Sequence, residues 1–208
     1  MPAERPPDAP DYGDLDQARV AAMGCTRCPL HQNATQTVFG EGPGGADLLL
    51  VGEVPGDHED RAGRPFVGPA GHLLDAALAE AGLARSAVYL TNAVKHFKWT
   101  TRPGRKRRIH QSPTAAEVGA CRPWLEAELA LVRPRAIVCL GTTAVRAVLG
   151  SSAPLKGLRG QPLLRAGVPV VVTVHPAAIL RIPDPTARQF ALALLVDELR
   201  TAGARARG

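Results

Sequence analysis

The chain has 208 residues, 45% of them apolar and 4% aromatic, with a net charge of +6. That apolar fraction excludes a disordered chain, and the length suits one cored domain with short arms at most. No apolar run approaches the ~20 residues of a bilayer span, and the Pro-rich, acidic start "MPAERPPDAP" lacks the apolar core of a signal peptide, so a cytoplasmic protein with reduced cysteines is expected.

In chain order, residues 1–14 read as a disordered arm, because their prolines prevent helix and offer nothing to bury. "ADLLLVGE" (46–53) is a short continuous apolar run ending at glycine, the pattern of a buried strand. "GPAGHLLDAALAEAGL" (68–83) places Leu73, Leu74, Ala77, Leu78 and Ala81 on one helical face, with Gly82 as C-cap. "AVYLTNAV" (87–94) is a second strand. Residues 112–132 form a helix with Ser112 as N-cap and Pro113 in its first position, burying Val118, Cys121, Leu125, Leu129 and Val132. "RAIVCLG" (135–141) and "VPVVVTV" (168–174) are the third and fourth strands. A short helix over 142–150 follows the third, and a helix over 184–203 closes the chain before a frayed tail, 204–208.

Continuous apolar strands alternating with helices specify an α/β fold of three layers, α/β/α, around a central four-stranded parallel sheet, in a single domain over 15–203. Ligands bind such sheets at the carboxyl ends of the strands. The polar signals collect there: "GEVPGD" after the first strand, Asn92 in "TNAVK" at the second, His175 in "VHPA" after the fourth.

Two further features carry chemistry. Between Lys95 and Arg108 lie Lys98, Arg102, Arg105, Lys106 and Arg107, with no acid among them. A clustered cationic excess without an amphipathic basic helix favours nucleic acid over an anionic membrane. The run "GRKRRIHQSP" ends on His110, which by spacing alone is a solvated or phosphate-touching residue. Arg107 and Arg108 either bind phosphate or clamp the loop. The second feature is the cysteines: Cys25 and Cys28 form a CxxC, and Cys121 and Cys139 lie on a helix and a strand. If all four converge, their thiolates suit zinc or an iron–sulfur cluster; if not, the second pair are buried small hydrophobes.

Read together, GEVPG, PFVGPAG, TNAVK, the His-Pro pair and the four ordered cysteines resemble the uracil-DNA glycosylase superfamily over roughly residues 20 to 200. The resemblance is to family 4, whose members carry a four-cysteine 4Fe-4S cluster. KRRIH, after TNAVKHFK, is similar to the signature of the UdgX subgroup, which excises uracil and stays attached to the abasic sugar through the motif's histidine. The resemblance implies a uracil-DNA glycosylase-like fold, a 4Fe-4S cluster on Cys25, Cys28, Cys121 and Cys139, and uracil-containing DNA, single- or double-stranded, as partner of a monomer.

It also implies roles that the residue chemistry fits. A base must leave the stack to be reached. Phe66 offers it a flat face. The carboxamide of Asn92 matches uracil O4 and N3–H, whereas cytosine presents the opposite pattern. Glu59 is expected to crowd C5 and exclude thymine's methyl. His175, helped by backbone amides around Gly52 and Val54, is expected to stabilise the departing uracil anion. His110 then attacks the sugar as nucleophile, with Glu53 orienting it and taking its proton. Asp57 activates water or caps a turn. Lys106, Arg107 and Arg108 grip DNA or clamp the loop, and Arg181 touches the DNA backbone or inserts at the flipped site. Val54 departs from the subgroup's "GEQPG": a backbone contact survives there and a side-chain hydrogen bond is lost. His58 also replaces an expected glutamine. Two alternatives accompany this reading: a conventional multiple-turnover family 4 glycosylase, and a non-catalytic iron–sulfur DNA-binding protein.

Overall fold

In the computed structural model the described residues are 12–102, 104, 107–152 and 154–207. The elements are α1 (Leu15–Met23), β1 (Leu48–Gly52), α2 (Asp57–Ala62), α3 (Pro69–Glu80), β2 (Val88–Asn92), β3 (Trp99–Thr100), β4 (Ile109–His110), α4 (Ala115–Val132), β5 (Ala136–Leu140), α5 (Thr142–Leu149), α6 (Leu155–Leu158), β6 (Leu163–Arg165), β7 (Val168–Thr173), α7 (Pro176–Leu180) and α8 (Pro185–Arg207).

The main sheet runs β2-β1-β5-β7-β6. The four strands expected from the sequence are its four mutually parallel members. The expected strand count falls one short, because β6 adds an antiparallel edge to β7. Its three residues are too short for a periodic signal. It returns through Ala166 and Gly167, both at positive φ (47° and 84°), the geometry of a tight hairpin turn.

Strand alternation divides the core into two layers. Leu49, Val51, Ile137, Cys139, Val170 and Val172 face one side, where α1, α4 and α5 pack. Leu48, Leu50, Val138 and Leu140 face the other, against α3, α7 and α8. The chain leaves β1 for β2 on one flank and reaches β5 on the other. The crevice beyond the ends of β1 and β5 is thus the topological switch point, where open α/β sheets bind ligands.

Several ends differ from expectation. α4 begins two residues later than the Ser112–Pro113 signal. Thr114 is its N-cap: its hydroxyl accepts the Glu117 amide at 3.2 Å, and Glu117 accepts the Thr114 amide at 2.6 Å. A reciprocal capping box satisfies two amides where serine followed by proline satisfies one. α3 closes with Ala81 as C-cap and Gly82 just beyond at φ 74°. α8 continues through Arg207 and buries Ala206, so residues 204–207 are helical rather than a frayed tail. At the other end, Tyr12 stacks on Trp124 at 5.8 Å between ring centroids and Asp14 caps α1, so the chain is ordered from residue 12. The expectation of disorder over 1–11 lies outside the described residues. Among the described residues no helix is long and apolar enough to cross a membrane.

Candidate active site

The ends of β1, β2 and β7, with α2 and the β3–β4 ribbon, bring six of the sequence-predicted residues, Val54, Glu59, Phe66, Asn92, His110 and His175, around one cavity. Val54, Gly56, Glu59, Phe66, Asn92, His110 and His175 line a volume of about 90 Å³. Asn92, the last residue of β2, is 3% exposed, and among the described residues its carboxamide makes no hydrogen bond to the protein. Gly52 pairs with Asn92 across the sheet and must lack a side chain. A β-carbon there would run into the Asn92 carboxamide oxygen and come within 2.6 Å of the Phe66 ring. Phe66 is buried with its backbone at φ 55°, a left-handed conformation that costs a bulky residue ~1–3 kcal/mol and persists only where its surroundings enforce it. Its ring lies 6.1 Å from the His175 ring, 26° from parallel. Glu59 is held rigid: one oxygen accepts the Gly68 amide at 2.7 Å and the other the Gly56 amide at 3.1 Å.

His175 is the N-cap of α7, and its Nδ1 accepts the Ala177 amide at 3.2 Å. That bond assigns the tautomer, because a ring nitrogen that accepts carries no proton. The neutral ring therefore bears its proton on Nε2. Burial lowers the pKa of His175 to about 4, outweighing the favourable field of Glu53. At neutral pH it is an uncharged donor. Glu53 lines a second cavity of about 450 Å³, with Arg181 and Thr143, that also borders His175. Its carboxylate accepts the Thr143 hydroxyl at 3.1 Å.

His110 reaches the first cavity on a different support. It pairs with Trp99 across the β3–β4 ribbon, and the Gln111 amide donates to Lys98 at 2.9 Å to extend that pairing. One side of the ring is open to solvent; the protein around the other lowers its pKa by displacing water, against the raising effect of Glu53. His110 and Glu53 feel one another's charge, but the hydrogen bond on Glu53 comes from Thr143. The preceding Arg108 is bound on two sides, by Asp57 at 2.5 Å and Asp60 at 2.6 Å. Its guanidinium also lies over Phe97 at 5.1 Å and Trp99 at 5.6 Å. Of the two roles considered for it, Arg108 has the geometry of the loop clamp. Asp57 belongs to that clamp and does not line the cavity. Burial would raise its pKa, but hydrogen bonds from Arg61 and Arg108 outweigh that and hold it below the usual carboxylate value, making it a poor base for water. Arg107 and Arg181 are exposed, and Lys106 lies outside the described residues. His58 is exposed on α2, away from the lining.

The cysteines do not form the expected set of four ligands. Cys25 accepts the Trp124 indole N–H at 3.1 Å, and Cys121 accepts the Lys95 amide at 3.2 Å. Burial raises the Cys121 thiol to about 12, with Cys25 and Cys28 contributing in the same direction, so these three thiols are electrostatic neighbours. Cys139 is raised to about 12 by burial too, but the charge it senses is Arg165. It sits in mid-β5, opposite Val51 of β1 and Val172 of β7, with its side chain in the apolar layer. Among the described residues, no group of three or more Cys, His, Asp or Glu is placed to hold a metal ion.

Sequence reasoning missed the support beneath Asn92. Lys95 and Glu128 are fully buried and paired at 2.5 Å. The Lys95 ammonium also donates to the Asn92 carbonyl at 2.8 Å and the Thr91 hydroxyl at 2.6 Å. Glu128 further accepts the Gly40 amide at 2.8 Å. The signal was present in TNAVK, whose lysine closes an otherwise apolar strand end. Nothing in the local sequence named its partner on α4.

The cavity at the strand ends thus brings together a buried carboxamide, an aromatic ring and a neutral histidine donor. The chain belongs to the uracil-DNA glycosylase superfamily: a family model described as "Uracil DNA glycosylase superfamily" matches residues 39–198. It is 42% identical over 159 residues to a type-4 uracil-DNA glycosylase of Thermotoga maritima, covering 76% of this chain and 78% of that one. It is 38% identical over 182 residues to a type-4 uracil-DNA glycosylase of Pyrobaculum aerophilum, covering 82% and 86%. A type-5 uracil-DNA glycosylase of the same organism is 32% identical over 212 residues, covering 90% and 87%.

Proposed function

We propose that this protein excises uracil from DNA and then captures the abasic sugar on His110. The observation that carries the reading is the meeting of His110 with Asn92, Phe66 and His175 around one cavity. Uracil, flipped out or presented on a single strand, enters the cavity lined by Phe66, Asn92 and His175. The Asn92 amide donates to O4, and its oxygen accepts N3–H. Cytosine presents the reverse pattern and leaves both unmet. Glu59, fixed by two backbone amides, stands as the wall against a C5 methyl.

As the C1′–N1 bond breaks, its electron pair leaves with uracil and C1′ becomes oxocarbenium-like. The Nε2–H of His175 donates to O2, where the negative charge develops, and a preorganised donor of this kind is worth more in the transition state than in the ground state. The lone pair of the neutral His110 imidazole then forms a bond to C1′, and the ring N–H proton passes to Glu53. Glu53 faces both histidines' fields and is steadied by Thr143, which suits it to that acceptance.

The test is uracil-containing single-stranded DNA followed by a denaturing gel. A shifted, SDS-resistant species is expected from the wild type. His110→Gly is expected to lose that species and still release uracil, because the vacated space admits water. Failure of the wild type to form it sinks the covalent step; failure of the variant to release uracil sinks the role given to His110. A second reading is a conventional multiple-turnover glycosylase, favoured by the type-4 relatives' names. It predicts more than one uracil released per protein molecule.

A further inference from the structure

The geometry points to Arg85 as the positioning residue that fixes Phe66, and through it the affinity for the flipped base. Arg85 does not line the cavity. Its guanidinium donates to the carbonyls of two successive residues, Phe66 and Pro65, each at 3.1 Å. Asp75, on α3, accepts from the same guanidinium at 2.5 Å and holds it in place. The peptide so gripped is the one whose φ of 55° a phenylalanine does not adopt by preference. Released, it relaxes toward ordinary extended backbone, and the ring leaves its position over Gly52 and beside His175.

A second observation agrees. Gly71, in the first turns of α3, lies so close that a β-carbon there would collide with the Phe66 carbonyl. The backbone of Phe66 is thus packed against a helix that has made room for it, while Arg85 binds its carbonyl and that of Pro65. The bidentate fork is what lysine lacks, since a single ammonium has no planar pair of donors to match two carbonyls.

This inference rests on the reading of Phe66 as the ring that stacks the base. The experiment measures single-turnover uracil release from single-stranded DNA, giving a half-saturation concentration and a maximal rate, in Arg85→Met, Arg85→Lys, Asp75→Asn, Phe66→Ala and the double variant Arg85→Met/Phe66→Ala. Arg85 and Asp75 side chains are 29% and 37% exposed, so these substitutions leave the core intact. Arg85→Met is expected to raise half-saturation about tenfold, the scale of one base–aromatic stack, with the maximal rate changed less than about threefold. Arg85→Lys recovers part of the loss, and Asp75→Asn shows a smaller loss of the same kind. In the Phe66→Ala background, Arg85→Met adds nothing, which a merely structural role would not produce. If Phe66→Ala raises half-saturation and Arg85→Met does not, or if the two effects add, Arg85 does not act through Phe66. If Phe66→Ala itself changes nothing, the stacking reading fails, and the inference with it.

Discussion

The floor of the cavity and the ribbon that carries His110 are built on opposite principles. The floor is made of strand ends, where each group is held by neighbours that leave it no alternative: Asn92 by its place in β2 and by Lys95 beneath its carbonyl, His175 by the Ala177 amide, Glu59 by two more amides. His110 sits on a ribbon of two residues against two, marginal by itself, and depends on one arginine between two carboxylates. The floor is thus preorganised before any ligand arrives. The ribbon is an appendage whose position is set separately, so under the proposed function uracil release and capture on His110 should be separable by mutation.

The largest effect expected is on the floor. Lys95→Met leaves Glu128 buried without its counter-charge and should lower unfolding free energy by about 3–5 kcal/mol, seen in urea unfolding curves. His175→Ala removes the neutral Nε2–H donor that the proposed function places on uracil O2 and should slow uracil release about 100-fold or more in single-turnover assays, with folding retained. Arg108→Met frees the ribbon. The SDS-resistant species should form about tenfold more slowly, the cost of a misplaced nucleophile, while uracil release changes by less than about twofold. Equal losses in both would show floor and ribbon to be one unit.

The smallest effect is in acid. Between the ordinary value of 6.5 and the folded value of about 4, the unfolded chain binds a proton that folded His175 refuses. Stability should therefore fall as the pH drops through that window, by on the order of 1 kcal/mol between neutrality and about pH 5. His110 and His96, both lowered chiefly by burial, add to the trend in the same direction. His175→Asn, which can still cap α7, should flatten part of the slope.

What was legible in the sequence follows the same division. The four parallel strands announced themselves by apolar runs, and strand ends are where ligands gather, so Asn92 and His175 could be placed from pattern alone. Phe66 and His110 needed the motif set, because a lone phenylalanine and a histidine after a basic run have no periodicity to locate them. The choice between clamp and DNA contact was out of reach. The sequence left Arg108 between the two roles because its partners, Asp57 and Asp60, are distant in the chain and meet it only after folding. Cys139 differs from the other cysteines in a way their order does not announce: it senses Arg165, whereas Cys25, Cys28 and Cys121 sense one another. Arg85 carried no signal whatever, since its use is to bend a backbone rather than to touch a ligand.

Gly52 has a practical corollary. Its missing side chain is the space in which Asn92 and Phe66 approach each other at the end of β1. Gly52→Ala would therefore force Asn92 and Phe66 out of place from beneath, with no change to the residues of the outer surface or the basic ribbon. Such a variant is a matched inert decoy: it separates what the protein does by docking on DNA from what it does by opening a nucleotide.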